Sequence, residues 1–212
     1  MEEQSLKPLI RSLEQLECDD PILIEQVNFF AYCRIPYFTL SHESSFPDGT
    51  LELRLRCRRD TVTGIYSLEN YNGTFIREIE ITQDIINDID LRELDSDMED
   101  INWKEMIPLL ASCEENQSCR TVLERLGGLG ANGTAEGILQ QNLLRIKYWS
   151  HTAWHDPSLN EQRKQYIRSQ LYSTESLTGE GHYFCYYQLS GKYEQYLKEL
   201  QRIGFNLMFL FT

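Results

Sequence analysis

His151 and His155 stand four residues apart, the spacing that brings two imidazoles to one face of a helix and lets them share a metal ion. Asp156 follows, and His42 or His182 would have to complete the set. The glutamate that turns such a pair into a zinc-hydrolase motif is missing, and Asp156-Pro157 marks the end of the segment. The competing reading is a polar connection beside Trp149 and Trp154.

A second constellation is glycine-rich. Gly128, Gly130 and Gly133 fit G-x-G-x-x-G, and Thr134 then opens a helix whose first amides are oriented to hold a phosphate. A dinucleotide site needs that motif directly after a strand. Here it follows Thr121–Leu126, which reads as helix, and the lysine of a P-loop is absent. A plain glycine connection between two helices accounts for the same residues. No cofactor or metal is therefore expected, although Gly128, Gly130, Gly133, Thr134, His151 and His155 are the places to look.

Charge offers two surface candidates. Arg54, Arg56 and Arg58 alternate with Leu53, Leu55 and Cys57, so a strand would carry its guanidiniums on one face, where they can grip an anion or pair with acids on neighbouring strands. The opposite candidate is the acidic run 84–100, with Asp95, Asp97, Glu99 and Asp100 at its end. It is no EF-hand: counted from Asp95, the glycine and glutamate required at positions six and twelve are Asp100 and Met106. Such a run can imitate nucleic-acid phosphates toward a basic partner.

The elements that must position these groups follow from periodicity. Leu6, Leu9, Ile10, Leu13 and Leu16 make an amphipathic helix over 5–17, and Asp20-Pro21 caps a second helix to about Cys33. Strands are expected at 37–42, 51–58, 64–69 and 74–81, with turns at Phe46–Gly49 and Asn72-Gly73. A short helix is expected at 83–89, then helices at 103–113, 118–126 (closed by Gly127-Gly128) and 134–149. A further helix is capped at Ser158–Glu161 and continues through Tyr166, Ile167 and Leu171. The end of the chain reads strand 182–189, helix 191–203, strand 205–211.

The fold class is therefore α+β: an N-terminal helical hairpin with an antiparallel meander, then a helical region closing in a strand–helix–strand unit. The expected segments are 1–82, an acidic connection 83–102, and 103–212, as one domain or two. Residues 1–100 hold 9 basic and 22 acidic side chains, which is the whole excess behind the net charge of -13, whereas 101–212 hold 11 of each. That balance disfavours nucleic acid and anionic membrane as partners. No stretch approaches the ~20 apolar residues of a membrane span, and the acidic start MEEQ lacks the basic region of a secretory leader, so a cytoplasmic protein is expected. Six scattered cysteines form no C-x-x-C pair and read as small buried apolar groups. With no G-x-S-x-G, H-E-x-x-H or lysine-bearing P-loop, the leading expectation is a non-enzymatic protein that works through a protein partner, such as an inhibitor or immunity-type protein for a basic target. An enzyme with a cleft between the halves is the alternative, and anion or nucleic-acid binding by the Arg54/Arg56/Arg58 face is the next.

Overall fold

The computed structural model describes residues 2–106, 108, 117–174 and 181–198. The chain is α+β, and it divides into two compact units. Unit 1 comprises 1–78 and 167–212; unit 2 comprises 79–166. By sequence alone the chain divides at 82 and 102.

Unit 1 begins with the helical hairpin α1 (Glu2–Gln15) and α2 (Pro21–Tyr32). Leu6, Leu9, Leu13 and Leu16 are all buried, as their spacing requires. Asp20 starts α2 as its cap: its Oδ1 accepts from the Leu23 N–H at 3.0 Å, and Pro21 occupies a first-turn position where no donor is needed. Three long strands follow, β1 (Tyr37–Phe46), β2 (Gly49–Arg59) and β3 (Tyr66–Arg77). With β6 (Ile167–Ser173), described below, they form an antiparallel sheet of order β1-β2-β3-β6. Helices α1, α2 and α7 (Gly181–Ser190) pack on one face of it. Leu51, Leu53, Leu55 and Cys57 point into that core, so the alternation read in 51–58 sets the register of the whole sheet.

Three expectations fail here. Asn72-Gly73 is not a turn, because β3 runs straight through it. Gly73 lies mid-strand opposite Leu53, under Tyr172 and Leu189, where a Cβ would sit 3.2 Å from the Tyr172 ring. The turn signal is overridden by the need for a bare backbone below an aromatic ring. Second, Ile167 and Leu171 belong to β6, not to a helix. Only a 3-10 turn (Pro157–Leu159), capped by Asp156 instead of Ser158, and the short α6 (Asn160–Arg163), which has no side-chain cap, form there. The outer edge of β3 takes up this segment, and Tyr172 stacks on Tyr71 at 5.1 Å. Third, 182–189 is helix, not strand. Cys185, Tyr186 and Leu189 form a buried stripe at helical spacing, so packing outweighs the β preference of its aromatics. Residues 193–198 are helical as expected, and the strand expected at 205–211 lies outside the described residues.

Unit 2 starts with a two-strand ribbon, β4 (Ile85–Ile86) and β5 (Ile89–Asp90), in place of the helix expected at 83–89. Asn87 and Asp88, both at positive φ, make its tight turn. Helix α3 (Leu91–Glu99) follows inside the acidic run, with Asp90 as its cap and Leu91, Leu94 and Met98 buried. Helices α4 (Gln117–Ala131) and α5 (Ala135–Trp149) complete the core with Trp103, Trp149 and Trp154, whose rings lie 5.3–5.4 Å apart. Of the helix expected at 103–113, residues 103–105 form a turn instead, and 107 and 109–113 lie outside the described residues. Among the described residues no helix is long and apolar enough to cross a membrane.

Candidate functional site

The glycine loop is not a loop. Gly127, Gly128 and Gly130 lie within α4, which continues past the expected stop at Gly127-Gly128 to Ala131. Their use is steric. A Cβ on Gly130 would sit 2.7 Å from Gln141 Oε1, and one on Gly137 of α5 only 2.2 Å from the Leu129 carbonyl oxygen. Small residues let the two helices touch, and side chains from neighbouring elements then donate to carbonyls in the C-terminal turns of α4. Gln141 Nε2 donates to Leu126 O and Asn87 Nδ2 to Leu129 O, each at 2.8 Å. Gly133 turns the chain at positive φ, and Thr134 caps α5 by accepting the Gly137 N–H at 3.2 Å. A phosphate at this helix start would have to compete with that hydroxyl for the same amide.

The histidine pair also changes character. Helix α5 ends at Trp149, so His151 lies in a turn and His155 in irregular chain beyond it, where four-residue spacing no longer aligns two rings. His155 Nε2 pairs with Asn160 Oδ1 at 3.0 Å. Among the described residues no group of three or more His, Cys, Asp or Glu side chains is placed to hold a metal ion.

The acidic run is partly neutralised within unit 2. Lys147 contacts both carboxylate oxygens of Asp95 at 2.9 Å, and the Tyr148 hydroxyl donates to Asp95 Oδ1 at 2.8 Å. Burial and this carboxylate raise the Tyr148 hydroxyl well above its ordinary value. Arg125 pairs with Asp97 and, at 3.4 Å, with Glu93. Glu99 is exposed and Asp100 ends α3; neither has an ion pair among the described residues.

The arginine stripe lies on the sheet face opposite the helices of unit 1. Arg54, flanked by Ser41 and Asn72, and Arg56, flanked by Thr39 and Asn70, are exposed. Neither has a side-chain hydrogen bond or ion pair among the described residues. Arg58 reaches Glu69 at 3.8 Å, a half-exposed and weak contact. Two large apolar side chains stand on the same face, Tyr37 at 63% exposure on β1 and Leu171 at 64% on β6.

One arrangement was not singled out in the sequence. On the helix-covered face, His42 Nδ1 lies 3.2 Å from Asp20 Oδ2, and His42 Nε2 lies 3.1 Å from Ser44 Oγ. His42 and Ser44 are two apart on β1, so they share a face, and the cap of α2 delivers Asp20 to the ring. The legible signal was an H-x-S pair on a strand preceded by a helix cap. Next to it, Tyr186 donates to Asp48 Oδ1 at 2.6 Å, and Lys192 reaches Asp48 Oδ2 at 2.7 Å.

Fold and sites together define an α+β protein of two units whose candidate sites are surface features. No protein-family model matches the chain, and neither a curated protein nor a solved structure is similar to it.

Proposed function

We propose that the chain is an interaction protein whose contact surface is the bare face of the unit 1 sheet, and that its partner offers an acidic, partly apolar protein segment. The observation that supports this is the pair Arg54 and Arg56, two exposed guanidiniums whose cross-strand neighbours are neutral Ser, Thr and Asn side chains and which have no ion pair among the described residues. They are two residues apart on one strand, about 7 Å, which suits carboxylates on alternate residues of an extended partner. Tyr37 and Leu171 add apolar area to either side, as interface surfaces commonly do. Two guanidiniums can match two carboxylates but not a long phosphate chain, and a net charge of -13 opposes the latter. The acidic run supports a basic partner less, since Asp95 and Asp97 already have cations of their own.

The probe is a fluorescent, end-capped peptide alternating Glu with Val, followed by anisotropy. Binding should weaken with salt and fall roughly tenfold for each of Arg54→Gln and Arg56→Gln, about 1.4 kcal/mol apiece. Equal binding by wild type and the double variant sinks the proposal, as does tighter binding of a single-stranded oligonucleotide that depends on the same two arginines.

A further inference from the structure

We infer that Ser44 is an activated nucleophile, with His42 as its base and Asp20 as the residue that positions the imidazole. The inference rests on which atoms meet. A carboxylate only accepts hydrogen bonds, so the ring proton belongs on Nδ1, donated to Asp20 Oδ2 at 3.2 Å. That leaves Nε2 to accept the Ser44 hydroxyl, 3.1 Å away. Nucleophile, base and orienting group thus form one chain, using the two ring nitrogens in the sense that serine acyl transfer requires.

The surroundings suit the same chemistry. The His42 side chain is 16% exposed and that of Asp20 40%, so the base is held while the site stays open to ligand. A cleft of about 330 Å³ is lined by Asp20 and His42 together with Ile22, Leu23 and Gln26 of α2 and Ser41 and Glu43 of β1; Ser44 is not among its lining residues and meets it through the His42 ring. Helix α7 starts at this end of β1. The ring of His182 lies 6.1 Å from that of His42, and Tyr183 lies 5.6 Å from Phe46. With Asp20 and Glu43 in the lining, the fitting substrate is an uncharged or cationic ester, not an anionic one.

The step balances without a cofactor. Ser44 Oγ bonds to the acyl carbon as its proton passes to Nε2, and the alcohol departs with that proton. Water then attacks the acyl-serine, again giving a proton to His42, which returns it to Ser44 as the acid leaves. The reacting groups lie on the sheet face opposite the contact surface proposed above, while the cleft reaches Ser41 and Glu43, which alternate onto the bare face of β1.

The test uses diisopropyl fluorophosphate on the full chain, read by intact mass and peptide mapping. The serine oxygen forms the bond to phosphorus, fluoride leaves, and the hydroxyl proton goes by way of His42 to solvent. One adduct on Ser44 is expected, absent in Ser44→Ala. Asp20→Asn separates chemistry from folding, because asparagine caps a helix as well as aspartate does. It should leave the melting temperature near wild type and slow labelling by roughly 10³-fold, since the amide no longer supports the imidazolium. His42→Gln should abolish labelling. An unlabelled but folded wild type, an adduct on another residue, or a labelling rate indifferent to Asp20→Asn would each overturn the inference.

Discussion

Alanine at Gly137 adds a single methyl group where α4 and α5 come closest. That carbon would stand 2.2 Å from the Leu129 carbonyl oxygen, 2.8 Å from Thr134 Oγ1 and 3.3 Å from Asn87 Nδ2. The nearest of these is backbone and cannot rotate away, so the helices must separate. Overpacking of this kind costs about 1–3 kcal/mol. Moving Leu129 O away from Asn87 Nδ2 loses a hydrogen bond worth about 1 kcal/mol more. The intrinsic helix preference of alanine returns at most about 1 kcal/mol. The net loss is about 1–3 kcal/mol, and a unit of this size should melt roughly 5–15 °C lower. Gly127 provides the control. It lies in α4 with nothing within 4 Å of a Cβ, so the same substitution should stabilise, by about 0.5–1 kcal/mol. The assay is built into the chain, because Trp103, Trp149 and Trp154 are its three tryptophans and all lie in unit 2. Thermal melts followed by tryptophan fluorescence therefore report this unit alone. A Gly137→Ala protein melting at or above wild type, or two variants shifting in the same direction, would refute the close-packing account.

Two further outcomes follow from named groups. Burial pushes the Asp48 carboxyl up, but the Lys192 ammonium and the Tyr186 hydroxyl outweigh it and hold the group below its ordinary value. Its contribution is thus complete above that ordinary value and lost as pH falls through the lower folded one; Asp48→Asn should be less stable than wild type at pH 7, and the gap in urea midpoint by near-UV circular dichroism should close below about pH 4. Burial raises the thiols of Cys18 and Cys57 to about 12 and that of Cys185 to about 11, whereas Cys33 is exposed. In a Cys113→Ser background, one thiol should react promptly with a disulfide reagent and the others only after unfolding; a second prompt thiol contradicts the burial of these residues.

Local signals carried much of unit 1 into the sequence. The α1 leucines, the Asp20-Pro21 cap and the alternation of Leu51–Cys57 with Arg54–Arg58 each depend on neighbours a few residues away. What was hidden depends on distant partners. Nothing near Ile167 says that β3 lacks a neighbour, and nothing near Gly73 says that Tyr172 will cover it. The aromatics of 182–189 suit strand or helix until the sheet beneath them is known. The candidate sites divide in the same way. The arginine stripe was legible because alternation is local. The glycines misled because close helix packing and phosphate binding select the same residue. The Ser44–His42–Asp20 chain was obscure because Asp20 comes from another element, 22 residues away from His42.

The place of β6 bears on the order of assembly. Thr74 and Ser169 are 95 residues apart in sequence yet share a 2.9 Å hydrogen bond across adjacent strands. Closing a disordered loop of that length costs about 4 kcal/mol in chain entropy, before any strand contact forms. Nearly all of the loop is unit 2. Once that unit has folded, what remains to close is short, and the fourth strand can pair cheaply. Unit 2 lies wholly between the two strands, so its folding lowers the entropy cost of completing the sheet of unit 1.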